Sequence, residues 1–207
     1  DRDYAAALAE KKLGEDFALG SRVTLGIPTR QMVRGKLFWV VPLLHSGFFK
    51  WLSNTKDGTP AYIMVSATNA QDITFVREAN GKPIRIVYQP NSFFNQNLYR
   101  RLYLQGYINY GLGGPTFEVD DQGEPYWTIT LYNHKVGVNG SEGIGLATVN
   151  AGTGKIDYYP LEKTAEGWSD AKVPAWVDRI MPAAFVLQQL DWWGRYVKGY
   201  WNTLFGK

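Results

Sequence analysis

Three groups of residues in this 207-residue chain have the types and spacing that could do chemistry. The first is "VNAGTGKIDYY", Val149 to Tyr159, whose centre of Gly152, Thr153, Gly154 and Lys155 resembles a phosphate-binding loop. Such a loop needs a glycine, four residues, then Gly-Lys-Ser/Thr, leading from a strand into a helix whose N-terminus faces the phosphate. Val149 stands where the first glycine belongs, and Ile156 where a magnesium-binding hydroxyl belongs. The following "IDYY" alternates in strand fashion and ends at Pro160. These residues read as a glycine-rich tight turn between two strands, and a nucleotide site is set aside.

The second group is the carboxylates Glu118, Asp120, Asp121 and Glu124. Two carboxylates facing each other across a cleft could hydrolyse a glycosidic bond. However, "EVDDQGEP" is also the composition of a hairpin turn, so a solvated turn is the expectation and a hydrolase an alternative. The third group is His45 and His134, which follow Trp39 and Trp127 at unequal spacings and sit in no metal-binding signature. They read as polar residues at loop edges. The chain has no Cys, which removes disulfides, thiolate catalysis and Cys-ligated zinc. It also lacks a Gly-x-Ser-x-Gly elbow. Asn139, Gly140 and Ser141 form a glycosylation sequon that matters only in a eukaryotic secretory setting. No catalytic residue, cofactor or metal is expected.

Aromatics dominate the composition, with eight Trp, thirteen Tyr and ten Phe. They concentrate in the tail "LDWWGRYVKGYWNTLFGK". At helical spacing Trp193, Val197 and Trp201 share one face, Trp192, Tyr196 and Tyr200 share the next, and Arg195 and Lys198 form a polar edge. A terminal helix packed on a sheet is one reading. The other is an interfacial or partner-binding helix, with Trp192, Trp193, Tyr196, Tyr200 and Trp201 as contacts. Exposed, coplanar Trp side chains would instead indicate a carbohydrate- or cell-wall-binding module.

The net charge of +3 is spread along the chain without a basic arm, so a nucleic-acid partner is not expected. No run approaches the ~18 apolar residues that span a bilayer, and no signal-peptide pattern is present. The chain opens on Asp1, which reads as an excised or processed piece.

The elements that would position these groups alternate in blocks. "YAAALAEKKL" predicts a helix over Tyr4–Leu13, with Asp3 as N-cap and Gly14 as its stop. The runs "RVTLG", "RQMV", "KLFWVVPL", "AYIMVSA", "ITFV" and "IRIVY" predict strands, with Asn80-Gly81 as a hairpin turn between the last two. A helix over Asn95–Tyr107, four more strands and a helix from Pro182 to Phe205 follow. This is an α+β pattern and lacks regular strand–helix alternation. "GKLFWVVPL" and "GEPYWTITL" also align at an offset of 88 residues, with Trp39, Val41 and Leu43 matching Trp127, Ile129 and Leu131. The expected fold is a duplicated small module of a helix packed on an antiparallel sheet, plus the C-terminal aromatic-rich helix. Its divisions are 1–90, 91–170 and 171–207.

The Ala-rich helix ending in Leu-Gly, the aromatic strand and the closing "VNAGTGKI" resemble PepSY-type modules. The family's closing motif is commonly Val-Asp-Ala-x-Thr-Gly, then Glu or Lys and an aliphatic residue. Val149, Ala151, Thr153, Gly154, Lys155 and Ile156 match it, while Asn150 replaces the usual Asp. The first half keeps only a degraded copy, Val65–Ile73, without the Thr-Gly pair. The resemblance implies a non-enzymatic extracytoplasmic domain of a membrane-associated bacterial protein, anchored through a segment outside this chain. Such a domain binds or restrains a protein or peptide partner, and the membrane lies near.

Overall fold

The computed structural model describes residues 1–135, 140–164, 167–169 and 172–180. The expected C-terminal helix and the third division therefore lie largely outside the described residues. The rest is an α+β protein with antiparallel sheets.

Helix α1 spans Arg2–Gly14. Asp1 is its N-cap in place of the expected Asp3, its carboxylate accepting the Asp3 N–H at 2.9 Å. Lys11 and Lys12 complement the C-terminal end of the dipole. Gly14 is the last helical residue rather than a left-handed stop, and right-handed Glu15 closes the helix. A short α2 (Phe17–Gly20) follows, capped by Asp16.

Strand β1 (Val23–Leu25) and β2 (Thr29–Val33) then lead into the long β3 (Lys36–His45). Helix α3 (Phe48–Leu52) separates β3 from β4 (Tyr62–Ser66) and β5 (Ile73–Val76). The spine of this sheet is β3. Its N-terminal half pairs with β2 and its last residues with β1, while β4 and then β5 extend the other edge.

Asn80 and Gly81, at φ 53° and 69°, turn the two-residue ladder β6 (Glu78–Ala79) and β7 (Lys82–Pro83). The hairpin turn is present, but "IRIVY" does not continue it as a strand. Ile86 forms an isolated bridge to Thr59, and the N–H groups of Val87 and Tyr88 both donate to Ala151 O at 2.9 Å. A partner far along the chain overrides the local strand propensity.

Helix α4 (Leu98–Leu104), capped by the Asn97 side chain, is shorter than the predicted Asn95–Tyr107, with 3₁₀ turns on either side. Four strands then appear where expected: β9 (Thr116–Val119), β10 (Pro125–Lys135), β11 (Gly140–Asn150) and β12 (Ile156–Pro160), with a two-residue β8 (Gly111–Leu112) before them. Here β10 is the spine. β9 pairs with its beginning and β8 farther along, while β11 and β12 extend the other edge. A small hairpin of β13 (Glu162–Thr164) and β14 (Gly167–Ser169) follows.

Two cores result. In one, Ala9 and Leu13 of α1 cover Val41, Leu43, Ile63 and Val65 on one face of the first sheet. The larger core takes the opposite face of that sheet, including Val40 and Tyr62. It joins this to Trp127, Ile129, Leu131 and Val149 of the second sheet and to Leu98 and Leu102 of α4. The first sheet is thus covered on both faces. No helix among the described residues is long and apolar enough to cross a membrane.

Candidate functional site

The glycine stretch is the turn between β11 and β12. Asn150 organises it: its side-chain oxygen accepts the N–H groups of Gly152 (3.0 Å) and Thr153 (2.9 Å) and the Thr153 hydroxyl (3.1 Å). Those backbone donors are the ones a phosphate would need, and they are already satisfied. Lys155 pairs with Asp157 at 3.0 Å instead of reaching over the loop. Gly154 lies at φ 69°, and a Cβ there would run into the Tyr88 ring. The turn also anchors the fold. Ala151 is fully buried, Trp127 Nε1 donates to Tyr88 O at 2.8 Å, and Arg101 Nε donates to Gly154 O at 3.1 Å.

The four carboxylates separate. Asp120, Asp121 and Glu124 belong to the β9–β10 turn, where Asp120 Oδ1 accepts the N–H groups of Gln122 (2.9 Å) and Glu124 (2.8 Å). Glu118 does not fit the expectation of a solvated turn. It lies on β9 with no exposed surface, its carboxylate accepting the Asp178 N–H at 2.8 Å and the Thr128 hydroxyl at 3.2 Å. Burial pushes its carboxyl up to about 7, partly offset by those hydrogen bonds. Around it lie Thr128, Thr130 and Thr148, all buried, so this face of the second sheet is polar yet sealed. The segment 172–180 crosses it. Trp176 O accepts from Gln31 Nε2 (3.1 Å), Thr130 Oγ1 donates to Ile180 O (2.6 Å), and the Trp176 and Tyr126 rings sit 4.8 Å apart. Strand alternation puts Glu118 opposite Phe117 and Val119, a signal masked by the acidic residues that follow it.

His45 is not at a loop edge. It ends β3 at 2% exposure, and its Nε2 finds no hydrogen-bond partner among the described residues. Burial, then the nearby Arg22, holds its pKa below the ordinary value, so the ring is neutral. The side chain of His134 lies outside the description. No cluster of three or more His, Asp or Glu suited to a metal ion occurs among the described residues. Trp192, Trp193, Tyr196, Tyr200 and Trp201 lie outside the described residues.

A different aromatic surface is present that the sequence reading missed. β3 ends and the chain turns at Gly47, φ 106°, into α3, "FFKWL". Trp51 is the buried base: its Nε1 donates to Gln96 Oε1 at 2.7 Å, and Gln96 Nε2 donates in turn to Thr55 O at 2.6 Å. On this base Phe48 and Phe93 pack edge to face at 5.1 Å, and Phe94 lies 5.7 Å from Trp51. The outer surface stays in water, with Phe49 81%, Phe94 63% and Leu52 53% exposed and Lys50 between them. Phe94 holds φ at 50°, an unusual conformation for a bulky residue. Asn97 Nδ2 fixes the approach, donating to Pro90 O at 2.9 Å and Ser92 O at 3.0 Å. This is a rigid aromatic knob with an apolar tip. Two Phe-Phe doublets flanked by Gly, Ser and Asn were its only trace in the sequence.

No family model, curated protein or solved structure matches the chain.

Proposed function

We propose that the chain is a non-enzymatic extracytoplasmic domain of a membrane-associated bacterial protein, a tandem PepSY-like module that binds a protein or peptide partner. The observation that carries this reading is the knob of Phe48, Phe49, Leu52 and Phe94. Large apolar side chains held in water on a hydrogen-bonded base are what interface anchors look like before their partner arrives. Preorganisation of this kind lowers the entropy lost on binding. The backbone conformation of Phe94 supports the same reading, since strained residues cluster at functional positions.

Duplication is part of the proposal. Both sheets are built on a long spine strand with two strands sharing one edge and two successive strands extending the other, and their spines align at the 88-residue offset. The envelope location rests on the resemblance of the β11–β12 turn to the family's closing motif.

A photoreactive phenylalanine analogue placed at position 49 or 94 of the protein in its native host tests the reading. Phe17, 91% exposed on α2, is the control site. Adducts of one defined protein mass are expected at 49 and 94 and absent at 17. Equal labelling at all three, or none, removes the knob as a partner surface.

A further inference from the structure

The segment 172–180 lies on the polar face of the second sheet, and it is held there as a ligand is held. Among the described residues it forms no main-chain hydrogen bond to any strand, only its own turn from the Val177 N–H to Pro174 O at 3.0 Å. Side chains grip its backbone instead. Trp176 O accepts from Gln31 Nε2 at 3.1 Å, the Asp178 N–H donates to Glu118 Oε2 at 2.8 Å, and Ile180 O accepts from Thr130 Oγ1 at 2.6 Å. Main-chain contacts of this kind give affinity whatever the sequence, and side-chain contacts add selectivity.

Two side chains of the segment supply that selectivity. The Trp176 ring lies 4.8 Å from the Tyr126 ring, tilted by 33°. The Asp178 carboxylate accepts the Met32 N–H at 2.6 Å, on a strand whose only strand partner among the described residues is β3. The floor beneath is Glu118, Thr128 and Thr130, polar groups that water satisfies once the segment leaves. Val177 is the one fully enclosed side chain of the nine residues. Opening therefore exposes little apolar surface, the mark of an element that detaches without global unfolding.

We infer that this face is a peptide-binding groove, occupied in the isolated chain by its own segment 172–180 as an internal competitor. The partner it fits is a polypeptide segment whose backbone takes the three clamps. That segment carries an aromatic residue for Tyr126 and, two places on, a carboxylate for the Met32 N–H. The groove shares no residue with the aromatic knob, so crosslinking at 49 and 94 leaves it untouched.

Native-state hydrogen exchange on the full chain tests the opening. The Asp178 N–H is expected to exchange at least about a hundredfold faster than the buried Ala151 N–H, which donates to Pro125 O at 2.9 Å. Equal rates would make the segment part of the global fold and overturn the inference. Binding is read by the anisotropy of a dye-labelled peptide of residues 172–180. The double variant Trp176→Ala, Asp178→Ala loosens the internal segment and keeps every groove residue. It is expected to bind the peptide at least about tenfold more tightly than the parent, whose tethered segment competes at high effective concentration. A peptide carrying the same two substitutions is expected to bind that variant at least about tenfold more weakly. Adding Thr130→Val to the variant is expected to weaken the unaltered peptide about fivefold. No binding to the double variant, equal affinities of the two peptides, equal affinities of parent and variant, or loss of folding in the variant would each overturn the groove. If light scattering shows the parent dimerising and the peptide dissociating that dimer, the groove serves segment exchange between copies and the separate partner is overturned.

Discussion

The two halves share a strand plan and treat their sheets differently. In the first half, the face carrying Trp39, Val41 and Leu43 lies under α1, and the opposite face enters the shared core. In the second half, the face carrying the matched Trp127, Ile129 and Leu131 is the one that enters the shared core. Its opposite face is a buried polar layer of Glu118, Thr128, Thr130 and Thr148. One position shows the contrast most clearly. Gln31 pairs with Phe38 on β3, and Glu118 pairs with Tyr126 on β10, so the two occupy the same place in their sheets. Both are fully buried. Gln31 is a neutral amide that donates to Val119 O and accepts the Val119 N–H at 2.9 Å. Glu118 must either carry a buried charge or hold a proton. A strand position fixes which way a side chain points, and the neighbouring layer fixes what that direction means.

The largest expected effect is unequal loss at the matched tryptophans. Trp127 is 4% exposed, touches Phe117 at 5.0 Å and hydrogen-bonds Tyr88 O. Trp39 is only partly buried at the edge of the smaller core. Trp127→Ala is expected to cost about 3–5 kcal/mol in denaturant unfolding, and Trp39→Ala less than about half of that. Equal losses would mean that both strands face equivalent cores.

Next comes the pH dependence that Glu118 has and Gln31 lacks. The carboxyl titrates at about 7 in the folded chain against an ordinary 4.5. The folded state therefore binds the proton more tightly than the unfolded state. Its contribution is fully present below about 4.5 and is lost as pH rises to about 7. The groups facing it are the Thr128 hydroxyl, the N–H groups of Asp178 and Arg179, and the Asp178 carboxylate, whose charge adds to the upward shift. Stability is expected to fall by on the order of 3 kcal/mol across that window. Glu118→Gln, which copies the first half's solution, is expected to flatten the profile. A profile that Glu118→Gln leaves unchanged would show that other groups set it.

Much of the fold was legible because its signals are local. The alternation in "KLFWVVPL" and "PYWTITLY" and the turn chemistry of Asn80-Gly81 each act within a few residues. What was hidden depends on distant partners. "IRIVY" looks like a strand, yet the N–H groups of Val87 and Tyr88 both go to Ala151 and that of Ile86 to Thr59. Glu118 reads as turn because Asp120 and Asp121 follow, and only packing against segment 172–180 buries it. The knob joins α3 to residues 93–96 through the Trp51–Gln96 bond, so no window of sequence contains it.

The two turns after β4 and β11 also differ. Gly154 sits left-handed against Tyr88, whereas no residue of the first-half turn between β4 and β5 has a positive φ. Gly154→Ala is expected to cost about 1–3 kcal/mol, from its backbone conformation and from displacing the ring. Thr68→Ala in the first-half turn is expected to stay within about 0.5 kcal/mol. A mild Gly154→Ala would show that Tyr88 can move aside at little cost.

The smallest effect on stability is expected at Phe94, compared with Asn80. Both residues are left-handed, at φ 50° and 53°. Asn80 is a residue type that tolerates this conformation, and Phe94 is one that does not. Phe94→Asn removes backbone strain and also a 63% exposed ring whose inner edge rests on Trp51. The two changes oppose each other, so the folded state is expected to stay within about 1 kcal/mol of the parent. Crosslinking from position 49 is expected to drop sharply in the same variant, because the apolar tip has lost one of its two largest exposed rings. A substitution that leaves folding intact and removes binding separates a contact surface from a packing residue. If Phe94→Asn unfolds the chain, the ring is structural, and if crosslinking persists, the partner does not read the knob through it.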